Sequence, residues 1–204
     1  MAITVDKKTT AVLSMDFQND IVHPDGPLAQ AAGFGAMVEK TGIMPRSAAL
    51  LDKAREAGML VIHIVVEFDE NSPTMPSRGA FFKMLGSGEP ALQPGTWGAA
   101  IHEDVAPKDG DLVVKKGMIS AFCQSTLADV LKEHGITDIA MIGVATPFVV
   151  EGTTWSAVDM GISCIVIEDC VCAGDEASHQ SCIDTSLNYL ADICSSDEFV
   201  AAIS

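Results

Sequence analysis

Residues 138–159, DIAMIGVATPFVVEGTTWSAVD, carry the reading that decides the fold. The first six form a near-continuous apolar run of strand length, and from residue 148 a helical pattern runs on to a stop at Gly161. A strand that turns directly into a helix is half of a βαβ unit. The same alternation recurs outward on both sides. Strands are predicted at 11–16 (AVLSMD), 59–66 (MLVIHIVV), 111–115 (DLVVK), 163–168 (SCIVIE) and near 192–194. Helices are predicted near 44–57, 124–134, 148–160 and 176–190, with Gly58 and Gly135 closing the first two. Strands this apolar are buried on both faces, which implies a parallel sheet covered by helices on each side. The expected fold is α/β: a three-layer, doubly wound, mainly parallel six-stranded sheet of Rossmann-like type.

A chain of 204 residues fits one domain, 1–204. Residues 67–110 stand apart, rich in Gly, Pro and Ser with apolar patches such as AFFKML. A connection of that length is expected to be a lid or a subunit-contact segment. The net charge of −16 argues against nucleic-acid and membrane-surface partners, both polyanionic. The N-terminus, MAITVDKKTT, lacks a secretory apolar stretch, so a cytoplasmic location is expected. The six cysteines form no CxxC pair and read as reduced, buried small hydrophobes. Cys170 and Cys172 form a lone CxC, weak as a metal or redox signal. The five histidines are scattered, and no metal or cofactor is expected.

In a parallel sheet, ligands bind outside the C-terminal ends of the strands. That directs attention to Asp16, Glu67, Lys116 and the segment Val144–Val149. A carboxylate at an apolar strand end is desolvated, which favours its neutral form or demands a cation. Lys116 is the natural partner if the two strands are neighbours, because a buried lysine is costly unless paired. Strand alternation points Lys115 to the other face. The turn at 143–149 opens a helix, whose backbone N–H groups can hold an anion. No nucleophile stands there: Val149 and Val150 are inert, and Thr146 has no histidine nearby in sequence. The residue-level alternatives are an Asp capping a loop, a surface lysine and a plain tight turn.

The three segments SMDFQND, VVKKGMISAF and GVATPFVVEGT, with LQPGTWGAAI at 92–101, resemble the isochorismatase-like hydrolases in order and spacing. This family, also called the cysteine hydrolases, includes nicotinamidases and carbamoylsarcosine amidohydrolases. The resemblance covers nearly the whole chain. It implies a six-stranded parallel sheet, homodimers or homotetramers, a small-molecule substrate, and Asp16 and Lys116 as catalytic residues. It also implies a non-prolyl cis peptide at Val144–Ala145. The nucleophilic cysteine of the family pattern would fall at position 149, where this chain has Val, so the family's thioester-type chemistry is not available there. EFDENSP lacks the metal-binding Asp-x-His of nicotinamidases. Some family members act without the cysteine by hydrolysing a vinyl ether, with an acid Asp and a substrate-holding Lys. The expected site therefore has Asp16 as acid–base, Lys116 as electrostatic partner, and Val144, Ala145, Thr146, Phe148 and Val149 against the substrate. Arg78, in PSRGAFF, resembles an arginine that binds substrate carboxylate in some isochorismatases. Two other readings are an amidohydrolase with a relocated thiol, Cys123 being nearest in sequence, and a non-catalytic small-molecule-binding protein.

Overall fold

A computed structural model of the chain describes residues 3–69, 72, 75–88 and 90–204. Glu70, Asn71, Pro73, Thr74 and Glu89 of the 67–110 segment lie outside the described residues, as do Met1 and Ala2. Strand β1 (Thr10–Met15) is followed by helices α1 (Asn19–Val22), α2 (Pro27–Ala31), α3 (Phe34–Thr41) and α4 (Ile43–Glu56). Then come β2 (Leu60–Val66), α5 (Ala80–Ser87), β3 (Leu112–Lys116), α6 (Leu127–Glu133) and β4 (Asp138–Val144). A π-helical turn, Thr146–Val150, leads into α7 (Glu151–Asp159) and β5 (Ser163–Cys172). The chain closes with α8 (Glu176–Cys182), a second π-turn (Ile183–Leu187), α9 (Asn188–Leu190), β6 (Asp192–Cys194) and α10 (Ser196–Ile203).

The six strands form one sheet in the order β3-β2-β1-β4-β5-β6, every neighbouring pair parallel. Side-chain alternation sorts the strands onto two cores. Val12, Ala140 and Ile142 face Leu50, Leu51 and Ala54 of α4 and Phe199 of α10. Leu13, Ile139 and Met141 face Leu127 and Leu131 of α6 and Ala157 of α7. All six residues of β1 are buried, which is why it reads as a plain apolar run. Edge strand β3 instead alternates: Val114 and Lys116 are buried while Val113 and Lys115 are exposed.

The strand order reverses between β1 and β4, so the crevice at their C-terminal ends is the topological switch point of the sheet. The two ends lie very close. Met15 pairs with Gly143, and a Cβ at Gly143 would sit 2.1 Å from the Met15 carbonyl oxygen. Gly143 also holds φ +144°, so glycine is required on both counts. The predicted strands all occur, but β5 continues to Cys172, four residues past its expected end. A register shift between Met141 and Gly143 on its partner β4 accompanies the extension. The helix expected at 176–190 is interrupted by the second π-turn, and the one expected at 148–160 starts with the first.

Candidate active site

Asp16 directly follows β1 and takes φ +58°, a left-handed conformation that ends the strand and that Asp tolerates better than most residues. Lys116 is the last residue of β3, two strands away. Its Nζ lies 2.7 Å from Asp16 Oδ2 and donates a second bond to the Ile119 carbonyl at 2.8 Å. Asp16 is 6% exposed and Lys116 2%. Burial pushes the Asp16 carboxyl above its ordinary range, and the Lys116 charge and hydrogen bond pull it back only in part. The other carboxyl oxygen, Oδ1, is buried with no partner among the described residues. Lys115 points away, as alternation requires, and pairs with Glu67.

The residues after Asp16 build the wall beside it. Gln18 Nε2 donates to the carbonyls of Val66 and Ala99, both at 2.8 Å, while its Oε1 accepts from the Val66 amide at 2.8 Å. Asn19 Nδ2 donates to the Trp97 carbonyl, and Asp20 Oδ2 accepts from the Leu92 amide at 2.6 Å. Gly98 is a glycine because Asp20 needs the room: a Cβ there would lie 2.1 Å from its carboxylate. The QND triplet is thus a clamp fastening residues 92–102 over the ends of β1 and β2. Sequence reading singled out Asp16 from this motif and missed the clamp, whose partners lie some 50 to 80 positions away.

On the β4 side the Val144–Ala145 peptide is cis. Within the π-turn, Pro147 has no amide hydrogen, and the amides of Phe148 and Val150 donate to the Ala145 carbonyl at 3.0 and 3.4 Å. Those two amides are therefore engaged within the turn. The Thr146 hydroxyl is fully buried and turned away from the cavity, 2.9 Å from His179 Nδ1 on α8. No histidine is near Thr146 in sequence; the fold supplies one from 33 positions on. Burial holds His179 below the usual imidazole range, with Glu168 and Glu176 acting in the opposite direction.

Asp16 and Lys116 form the floor of a cavity of about 60 Å³, room for a few water-sized groups. Val144, Ala145, Phe148 and Val149 line it; Thr146 and Arg78 are not among its lining residues. Thr146 is drawn off by His179, and Arg78 is exposed just before α5. The roof is α5, which contributes Phe81, Phe82 and Leu85 from a helix with no buried residue. Phe81 stacks on Phe148 with ring centroids 4.5 Å apart and an interplanar angle of 25°, and Phe34 meets Phe148 edge-on at 6.4 Å. The AFFKML patch was the sequence signal for this roof. None of the six cysteines lines the cavity. Burial pushes Cys164, Cys170, Cys172 and Cys194 up to about 12 and Cys182 up to about 11. Among the described residues no three His, Cys, Asp or Glu side chains are grouped to hold a metal ion, and no helix is long and apolar enough to cross a membrane.

The Isochorismatase domain model matches residues 10–198. A ureidoacrylate amidohydrolase RutB of Agrobacterium fabrum (strain C58) is 30% identical over 178 residues, covering 82% of this chain and 77% of the relative. Its namesake from Rhizobium rhizogenes (strain K84) is 27% identical over 214 residues, covering 99% and 86%. An isochorismatase family protein from Desulfovibrio vulgaris subsp. vulgaris str. Hildenborough superposes with a TM-score of 0.81 at 24% identity, over 96% of this chain and 98% of that one. With a six-stranded parallel sheet and a family match spanning nearly all of it, the chain belongs to the isochorismatase family of hydrolases.

Proposed function

We propose that this hydrolase cleaves a small molecule in the Asp16–Lys116 cavity with water as the nucleophile, Asp16 as general acid and base, and no covalent enzyme intermediate. One observation carries the reading: the unpartnered, buried Oδ1 of an Asp whose carboxyl is pushed upward by burial, in a cavity lined by Val149 and by no thiol. Lys116 fixes Oδ2, so Oδ1 is the oxygen left to exchange a proton.

Hydrolysis of a vinyl ether suits this geometry. Asp16 Oδ1 transfers its proton to the terminal vinyl carbon, the C=C electron pair forming the new C–H bond. The adjacent carbon becomes an oxocarbenium ion, and Lys116 stabilises the carboxylate left behind. Water adds to that carbon and returns a proton to Asp16. The resulting hemiacetal collapses, breaking the C–O bond to give an alcohol and a carbonyl compound, with one water consumed. The substrate's oxygen is held against the backbone of the π-turn, where Phe148 and Val149 line the cavity.

A second reading takes support from the amidohydrolases to which the chain is similar. There the Asp16 carboxylate draws a proton from water as it attacks an amide carbonyl. The experiment is hydrolysis of phenyl vinyl ether by the purified protein and by Asp16→Asn. We expect turnover by the wild type and a roughly thousandfold loss in the variant. Turnover that Asp16→Asn leaves unchanged rules the mechanism out. Ligand binding without turnover of ethers or amides assigns the chain to a non-catalytic role.

A further inference from the structure

We infer that the cavity selects substrates with a flat apolar body and at most one negative charge, the body seating on the face of Phe148. The inference rests on the hydrolase reading above and narrows its substrate class.

The charge limit follows from the lining. Asp16 and Lys116 are the ionisable side chains there, and they are paired at 2.7 Å. The pair is neutral when Asp16 is ionised and carries one positive charge when it is protonated. One substrate carboxylate is therefore compensated and a second is not. An unpaired carboxylate in an apolar enclosure is strongly disfavoured. Other cations are elsewhere: Lys115 is held by Glu67, and Lys83 and Arg78 are exposed. None of the residues outside the described set has a basic side chain. The net charge of −16 adds a long-range penalty for dianions.

The flat body follows from the roof. The cavity of about 60 Å³ has little room beneath Phe81, which already covers the Phe148 face, so a ring that seats on that face takes the place of Phe81. Phe81 rides on α5, whose residues are all at least partly exposed and whose N-terminal flank is Gly79 at φ +91°. Its withdrawal bares the Phe148 face on which it stacks, with Phe34 still edge-on to the same ring. A ligand ring can repeat that stacking geometry. Its polar end then meets Asp16 Oδ1, a buried atom with no partner among the described residues.

The test uses three ethyl ethers of one shape that lack the reactive vinyl group: phenetole, 4-ethoxybenzoate and 5-ethoxyisophthalate. Each is titrated into the full chain by calorimetry or ligand-observed NMR. Phenetole and 4-ethoxybenzoate are each expected to bind at least about tenfold more tightly than the diacid, because one carboxylate of the diacid stays unpaired. Phe148→Leu, which keeps apolar volume but removes the ring face, should weaken phenetole about fivefold. The charge series on the unmodified protein decides the charge limit even if that variant folds poorly. None of the three ethers has the vinyl group, so their binding is read without hydrolysis. Failure of the hydrolase reading therefore shows in turnover, and failure of this one in binding. The inference is overturned if the diacid binds as tightly as phenetole, if diacid binding is strong and lost in Arg78→Ala, or if a folded Phe148→Leu binds phenetole unchanged.

Discussion

Two aspartates at opposite ends of the sheet have side chains no more than 8% exposed, and their surroundings drive them in opposite directions. Asp111, just ahead of β3, accepts from Arg55 Nη2 at 2.6 Å and Nε at 3.2 Å, from the Lys108 amide at 2.8 Å, and lies 3.1 Å from His63 Nε2. Burial alone would raise its carboxyl, but Arg55, the Lys108 amide and His63 outweigh burial and hold it below the ordinary range. Asp16 has one cationic partner and one idle oxygen, and its carboxyl is raised. A carboxylate saturated with donors fastens α4 to β2 and β3. A carboxyl left one donor short is available to a substrate. The degree of hydrogen-bond satisfaction, rather than burial, separates structural from reactive acids here.

The sharpest way to break this comparison is to make the same substitution twice. Asp16→Asn should cost roughly a thousandfold in turnover while its unfolding midpoint moves little, because the amide oxygen and the Ile119 carbonyl still accept from Lys116 and burial already disfavours the ionised carboxyl. Asp111→Asn should do the reverse, losing about 3 kcal/mol in urea unfolding because a neutral amide cannot accept from Arg55, the Lys108 amide and His63 together, although Asp52 still pairs with Arg55, with turnover per folded molecule preserved. Equal stability losses in the two variants would erase the distinction.

The pH dependence should also divide. Because Asp16 binds its proton more tightly when folded, its contribution to stability is full below the ordinary carboxylate range and is lost as pH rises through its raised value. Asp111 contributes above the ordinary range and loses its contribution as pH falls through its lowered value. Denaturant midpoints of the two Asn variants against wild type, followed from about pH 3 to 8, read both signs. On turnover, an acid role predicts a rate that falls as pH rises through the Asp16 value, whereas the amide reading predicts a rise. The smallest expected effect is on thiol labelling. Iodoacetamide should leave turnover unchanged, since no cysteine lines the cavity. Inactivation tracking one labelled cysteine would restore a thiol mechanism.

Much of this was legible because the central strands are buried on both faces. DIAMIG and AVLSMD have no competing pattern, and the ends of strands in a parallel sheet point to Asp16 and Lys116. Short elements were not legible. Helices α1 to α3 occupy residues 19–41, are eight residues long or fewer, and have no side-chain cap at their starts. Helix α5 showed as an apolar patch without a helical period, since Phe81 and Phe82 are adjacent. The contacts of Gln18 with Val66 and Ala99, and of Thr146 with His179, span 33 to 81 positions. Local spacing carries no trace of such pairs; only the assembled sheet brings them together.

The 100 positions between Asp16 and Lys116 also bear on when the site comes into being. Strand β1 leaves the ribosome early, but its acid has no counter-ion until β3 has been made and has paired with β2. The clamp from Gln18 likewise waits for Ala99. Contacts of such large sequence separation form late in folding, after the chain entropy of closing them has been overcome. A burst of activity during refolding would therefore time the completion of the sheet rather than the first collapse of the chain.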